Sequence, residues 1–437
     1  MKLKKIIGIF ISTLLIITLI PFNINATLTY NPLDGGWIEE IDGVTILHVS
    51  GTYYEMGYQH GFLLKEDIPK TFRMLKTFFE KNGMSYDELV SKWNIIKDYI
   101  PEKYKNELQG LVDSSGLSHE EIGVLNIFHD AVNLINCCGG IAWGKATKDG
   151  GLIHLRSGDM DNFLNDSETG TFLSENQVVI IRDPDDGYAS MSPILIGDIG
   201  TYGGINEKGI SVSETTVKTN DAILQGITAS FRMRMTLDNA ETGWEAINIM
   251  DSNRTCGWNL LIGDSNIPEG YVLEQTANTS IVCLWNYTGE SKKPFWSIED
   301  IMRRSNCFIS PECAELELNR KYYDTSGLKG IIYYILGLDR HFIPWTHYRV
   351  LSQGYETQWG NLNLSNTMEM LRDVYLGETD IIFNLMMKMY FYQPCHQWVA
   401  TPKTGDMLIS FACEGKLSCE NSVHYFNLFE LLESEPP

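Results

Sequence analysis

The apolar pattern of this chain changes period several times. Near the start, residues 37–41 and 44–49 are short strand-like runs on either side of Asp42-Gly43, a pairing that predicts a β-hairpin. Gly57 and Gly61 follow within the stretch 51–61. They lie four apart, so on a helix they share one face and permit close packing. From 62 to 135 the pattern is mostly helical. Ser85-Tyr86-Asp87-Glu88 and Ser118-His119-Glu120-Glu121 read as capping boxes, and Pro101 suits a first helical turn. Gly83 and Gly116 stand where helices should stop. The apolar spacing of 122–135 then delivers the chain to Asn136-Cys137-Cys138.

Beyond that point strands dominate. The two cysteines lead into an apolar run ending at Trp143-Gly144, a turn at 147–151, and a second strand at 152–155. That strand ends in Arg156, with Asp159 and Asp161 just past it. Further strands are expected at 178–181, 189–196, 210–214, 259–262, 272–274 and 281–284, with helices at 230–239 and 244–250. Two more helices fit 348–356 and 364–375, and a strand pair at 396–401 and 407–413 closes the chain. No internal repeat or low-complexity linker interrupts it. Strands, then helices, then strands again predict an α+β fold of packed layers.

Composition sets the compartment. A basic start, Met1-Lys2-Leu3-Lys4-Lys5, precedes an apolar run over 6–20, then Pro21 and Ile24-Asn25-Ala26. This describes a signal peptide at 1–26, with an uncleaved anchor as the alternative. The expected location is secreted or extracytoplasmic, possible tethering included. The net charge of -22 argues against nucleic acid or an anionic membrane surface as partner. The nine cysteines are odd in number, so an exported chain keeps at least one thiol unpaired within itself. They lack zinc spacing, and H-E-x-x-H, G-x-S-x-G, Walker and dinucleotide signatures are missing. No metal or cofactor is expected. His60, with no partner in view, reads as a packing or capping residue.

A thiol at the head of a strand, beside an arginine on the hairpin partner, is a candidate nucleophile, because the thiolate is reactive and a cation favours it. The plainer alternative is two small apolar cysteines in a core. A papain-type site would pair a cysteine with His347, His396 or His424, although the flanks of that family are absent around Cys137.

The motifs 51–61, Cys137 followed by 142–150, 154–159, 204–210, 303–306 and Tyr348-Arg349 together resemble the penicillin acyltransferase family. This is the acyl-CoA:6-aminopenicillanic acid acyltransferase-like branch of the N-terminal-nucleophile (Ntn) hydrolases. The resemblance implies a four-layer αββα sandwich at 137–437, preceded by a mainly helical pro-segment at 27–136. It implies a chain that cuts itself just before its cysteine, keeps the pro-segment as a second chain, and uses the new α-amino group as base. By motif, Cys137 is the nucleophile, Arg156 favours its ionised form, Asp159 holds the amine, Asn306 stabilises the oxyanion and Arg349 lines the substrate site. The implied substrate is a small linear amide, its acyl group passing through a thioester to water or an amine. A non-catalytic binding protein on the same fold is the alternative from another class. This chain departs from the family pattern at Ser157-Gly158 after the arginine and at Cys307 after the asparagine. Spacing to Trp143 favours Cys137 as nucleophile, and the Gly-Gly-Ile-Ala run favours Cys138, so the choice stays open.

Overall fold

A computed structural model describes residues 31–128, 130, 137–161, 164–318, 328, 332, 343–376, 392–413 and 415–437. The predicted signal peptide and the junction residue Asn136 lie outside them. Leu33–Pro437 form one compact unit.

The hairpin predicted around Asp42-Gly43 joins β1 (Trp37–Ile41) to β2 (Val44–Gly51). Both turn residues have positive φ, 52° and 82°, as a two-residue turn between twisted strands requires. Five helices follow: α1 (Tyr53–Leu63), α2 (Ile68–Lys81), α3 (Tyr86–Ile96), α4 (Glu102–Ser115) and α5 (His119–Asn126). The capping boxes at Ser85/Glu88 and Ser118/Glu121 are formed, and Gly116 ends α4 in the left-handed conformation. The glycines of α1 make its contact with α4. A Cβ on Gly57 would lie 1.9 Å from the Glu107 carbonyl oxygen, and one on Gly110 2.1 Å from that of Tyr54. The two helices therefore meet backbone to backbone.

The remaining strands are β3 (Cys137–Ala142), β4 (Ile153–Asp161), β5 (Gln177–Pro184), β6 (Ser190–Leu195), β7 (Gly203–Asn206), β8 (Ile210–Thr216), β9 (Trp258–Asp264), β10 (Glu269–Gln275), β11 (Ser280–Cys283), β12 (Ile301–Ser305), β13 (Tyr392–Thr401), β14 (Asp406–Phe411) and β15 (His424–Asn427). They form two sheets, ordered β1-β2-β5-β6-β7-β8-β9-β10-β11 and β12-β3-β4-β13-β14-β15. Neighbours are antiparallel except β2 and β5, which run parallel.

Period-2 alternation sorts the side chains into layers. On β9, Leu260 and Ile262 pack outward against α6 (Ala229–Asn239) and α7 (Gly243–Met250), while Leu261 packs inward with Ile141 of β3. On the second sheet, Leu155 and Val399 face outward against α8 (Ile343–Gln358) and α9 (Leu364–Leu376). Trp398 and Ala400 instead meet Val179 and Ile181 between the sheets. The result is the expected four-layer αββα sandwich.

Residues 33–128 are built into this body. β2 pairs with β5 from Ile46↔Val179 to Gly51↔Pro184. Helices α1–α5 cover the outer face of β5 and β6 through Val178, Ile180 and Ile194. Arg234 of α6, fully buried, is held by Glu107 of α4 at 3.1 Å and Asp238 at 2.8 Å, and Tyr53 and Tyr104 donate to Asp238. His60 accepts from the Gly197 N–H; burial, then Arg182, pushes its pKa down to about 3, so it is a neutral packing residue.

Gly57→Ala should lower stability by about 1–3 kcal/mol, because the added methyl meets backbone that cannot give way. Urea unfolding of wild type and variant measures it; coincident midpoints would contradict the backbone-to-backbone contact.

Candidate active site

β3 places its two cysteines on opposite faces. Gly139 points toward the other sheet, where a Cβ would meet Leu261 and Ser213, so Cys137, two residues earlier, shares that inter-sheet layer. Cys138 faces the outer helices, where its sulfur lies 3.8 Å from the Tyr375 hydroxyl of α9. Both are fully buried.

Arg156 stands directly across from Gly139 on β4, between the sheets. Its Nη2 donates to the Cys137 sulfur at 3.6 Å and to Glu214 of β8, in the opposite sheet, at 2.5 Å. Its Nη1 donates to His396 Nε2 on β13. Burial works against the guanidinium charge and Glu214 supports it, leaving the Arg156 pKa raised, while burial also raises that of the Glu214 carboxyl. The Cys137 thiol is pushed well above its ordinary range, first by burial and then by Glu214. Arg156 and the Asp159 backbone amide pull the other way.

Asn306 follows β12 directly. Arg304 anchors that strand with Glu274 at 2.8 Å and Glu290 at 2.6 Å, both buried, and Arg303 donates to Ser352 of α8. Asn259 Nδ2 donates to the carbonyls of both Ser305 and Cys307, fixing the backbone on each side of Asn306. The Asn306 amide then reaches Cys137: its Oδ1 accepts from the Cys137 backbone N–H at 2.7 Å, and its Nδ2 donates to the Thr216 carbonyl at 2.8 Å. One partner is an obligate donor and the other an obligate acceptor, which sets the amide orientation.

Cys137, Arg156 and Asn306 are thus brought together. The Asp159 carboxyl points to the outer side, where the Tyr375 hydroxyl donates to its Oδ1 at 2.8 Å. Burial raises its pKa to about 8. Arg349 is not joined to this group: on α8 it donates to Gln353 and lines a groove between α8 and α9 that includes none of the other four residues. Of the papain-type candidates, His347 lies against the Tyr375 ring with its pKa pushed down to about 3 by burial. His424 sits on β15, the last strand of its sheet. His396 meets the site through Arg156.

Sequence reasoning missed Glu214, Gln177 and Tyr375, and saw His396 only as a papain-type base. Glu214 carried a signal: a carboxylate in the middle of a strand whose seven residues are all buried needs a cation nearby.

A profile of the acyl-coenzyme A:6-aminopenicillanic acid acyl-transferase family matches residues 148–286, a stretch that carries Arg156, Asp159 and Glu214. The chain is 24% identical over 329 residues to an uncharacterized protein of Archaeoglobus fulgidus, covering 63% of this chain and 52% of the relative. It is 28% identical over 265 residues to protein dcd1B of Dictyostelium discoideum, covering 54% and 51%. The chain spans about half the length of the curated relatives it matches. Similar solved structures include a conjugated bile acid hydrolase from Clostridium perfringens, with TM-score 0.41, 14% identity and coverage of 67% of this chain and 93% of that one. A penicillin V acylase from Agrobacterium tumefaciens gives TM-score 0.38, 12% identity and coverage of 67% and 87%. The family resemblance read from the motifs is borne out by the profile match.

Asp159 supplies a pH test. Its folded pKa is raised above its unfolded value, so its favourable contribution is complete below about pH 4 and is lost as pH rises through about 8. Asp159→Asn keeps the neutral form at every pH. It should match wild type near pH 4 and exceed it by more than about 1 kcal/mol at pH 8 in urea unfolding. A constant difference across that range would remove Asp159 as a titrating group.

Proposed function

We propose that the protein is an amidohydrolase or acyltransferase of the Ntn type, which cuts its own chain before Cys137 and then uses that thiol on a small linear amide. The observation that carries this reading is the double contact at Cys137: its backbone nitrogen is held by Asn306 while its sulfur receives Arg156. Nitrogen and sulfur of one residue are the base and nucleophile such an enzyme needs.

In the first step the thiol adds to the carbonyl of residue 136, the peptide bond to Cys137 breaks as the thiol proton passes to the departing nitrogen, and water hydrolyses the resulting thioester. Cys137 then carries a free α-amino group that still donates to Asn306 Oδ1. On substrate, this amine takes the thiol proton, the thiolate attacks the amide carbon, and the amine returns the proton to the leaving nitrogen. Water or an acceptor amine then resolves the thioester. Arg156 favours the thiolate, and the Asp159 backbone amide adds to it. Asn306 acts first on the nucleophile's own nitrogen, a role besides the oxyanion contact that the resemblance implies. The basic start and apolar run at 6–20 support export, and the inactive state before cutting makes the uncut chain a zymogen.

Intact-mass analysis should find two chains in wild type and one in Cys137→Ala. A single chain in both would sink the proposal, and a fragment beginning at Cys138 would move the nucleophile by one residue. The β2–β5 ladder and the Arg234 cluster cross the cut, so the two chains should co-elute on size exclusion until urea unfolds the whole body. Separation in plain buffer would contradict that. Asn306→Ala should slow turnover by roughly 10²- to 10³-fold; unchanged rates would remove it from the site.

A further inference from the structure

The site depends on where Arg156 points, and the sequence contains a device for setting that. We propose that His396 is a positioning residue for Arg156, held as a neutral acceptor by Gln177 and given its room by Gly158. This inference rests on the reading of Cys137 as a self-processing nucleophile.

The argument runs through a chain of forced choices. The Gln177 amide nitrogen donates to two backbone carbonyls, Ser174 at 2.6 Å and Cys395 at 3.3 Å. Its Oε1 is therefore the acceptor that faces His396 Nδ1 at 2.7 Å. An oxygen there requires Nδ1 to carry the hydrogen, so in the neutral ring Nε2 is left with a lone pair. That lone pair faces Arg156 Nη1, which can only donate. With Nη1 tied to His396 and Nη2 to Glu214, the guanidinium is fixed from two sides while Nη2 addresses the Cys137 sulfur. The groups facing His396 include Arg156 from β4, Gln177 from β5, its neighbour Cys395 on β13 and the Phe411 ring from β14.

Gly158 is the independent observation. It stands opposite Cys137 on one side and His396 on the other. A Cβ there would lie 2.6 Å from Arg156 Nη1 and 2.9 Å from His396 Nε2, inside the contact between them. Gly158 also falls where this chain departs from the family pattern. The small residue and the histidine are therefore two halves of one arrangement.

The test measures the rate of cutting before Cys137, by intact mass after dilution from denaturant, alongside thermal unfolding of each chain. His396→Leu keeps volume but removes the acceptor, and should slow cutting roughly 10- to 100-fold. His396→Gln can donate to Gln177 and accept from Arg156, and should restore the rate to within about threefold of wild type, as the imidazole's bonding pattern permits. Gly158→Ala should slow cutting with His396 intact. Equal rates for wild type and His396→Leu, or equal slowing by Leu and Gln, would overturn the positioning role. Equal slowing by Leu and Gln at unchanged unfolding temperature would still count against it. Wild type that never cuts would instead defeat the underlying reading.

Discussion

A guanidinium buried between two sheets is the constraint on which the site depends. Arg156 cannot lose its proton, and an unpaired charge in that layer costs several kcal/mol. The fold answers from three strands. Glu214 comes from the opposite sheet, His396 from the next strand of the same sheet, and Cys137 from the strand on the other side. Each partner limits its neighbours. Burial first, and then Glu214, which offsets the positive field that would favour a thiolate, push the Cys137 thiol well above its ordinary range. The pairing that makes burial of Arg156 tolerable also limits its electrostatic effect on sulfur.

The strand period divides chemistry that sequence proximity joins. Cys137 and Cys138 are adjacent, yet one belongs to the Arg156 layer and the other to the layer of Tyr375 and Asp159. The same division applies on β4. Arg156 and Gly158 face inward, and the Asp159 carboxyl faces outward while its backbone amide still approaches the Cys137 sulfur. Of the two cysteines that motif spacing left open, Cys137 is the one that shares the layer with the arginine.

Local features were legible where local physics decides them. The Asp42-Gly43 turn, the capping boxes at Ser85 and Ser118, and the glycine face of α1 follow from backbone sterics and short hydrogen bonds. The layered α+β class followed from the order of periods. Arg156 and Asn306 were legible through motif resemblance. Glu214, His396 and Gln177 were not, because their partnership spans strands far apart in sequence and depends on register. His396 meets Gly158 only through the bulge at Pro394/His396, which no periodicity reveals. Arg349, a motif position on α8, donates to Gln353 and lines a groove between α8 and α9.

Charge balance makes a cut before Cys137 compatible with this interior. Arg156 is paired with Glu214, and Asp159, its pKa raised to about 8, is largely neutral near pH 7. An uncut Cys137 contributes a neutral thiol and a neutral amide. Breaking the preceding peptide bond adds an amine to a residue that already holds a thiol, so transfer of one proton from sulfur to nitrogen creates a cation and an anion without changing the net charge of the layer. Ionising the thiol alone would leave an uncompensated anion beside Glu214, which burial opposes. The nitrogen that would become positive under the proposed mechanism is the one that Asn306 Oδ1 already accepts from. A carbonyl-type oxygen serves a peptide N–H and an ammonium equally well, so the same contact supports both states without any movement of β12.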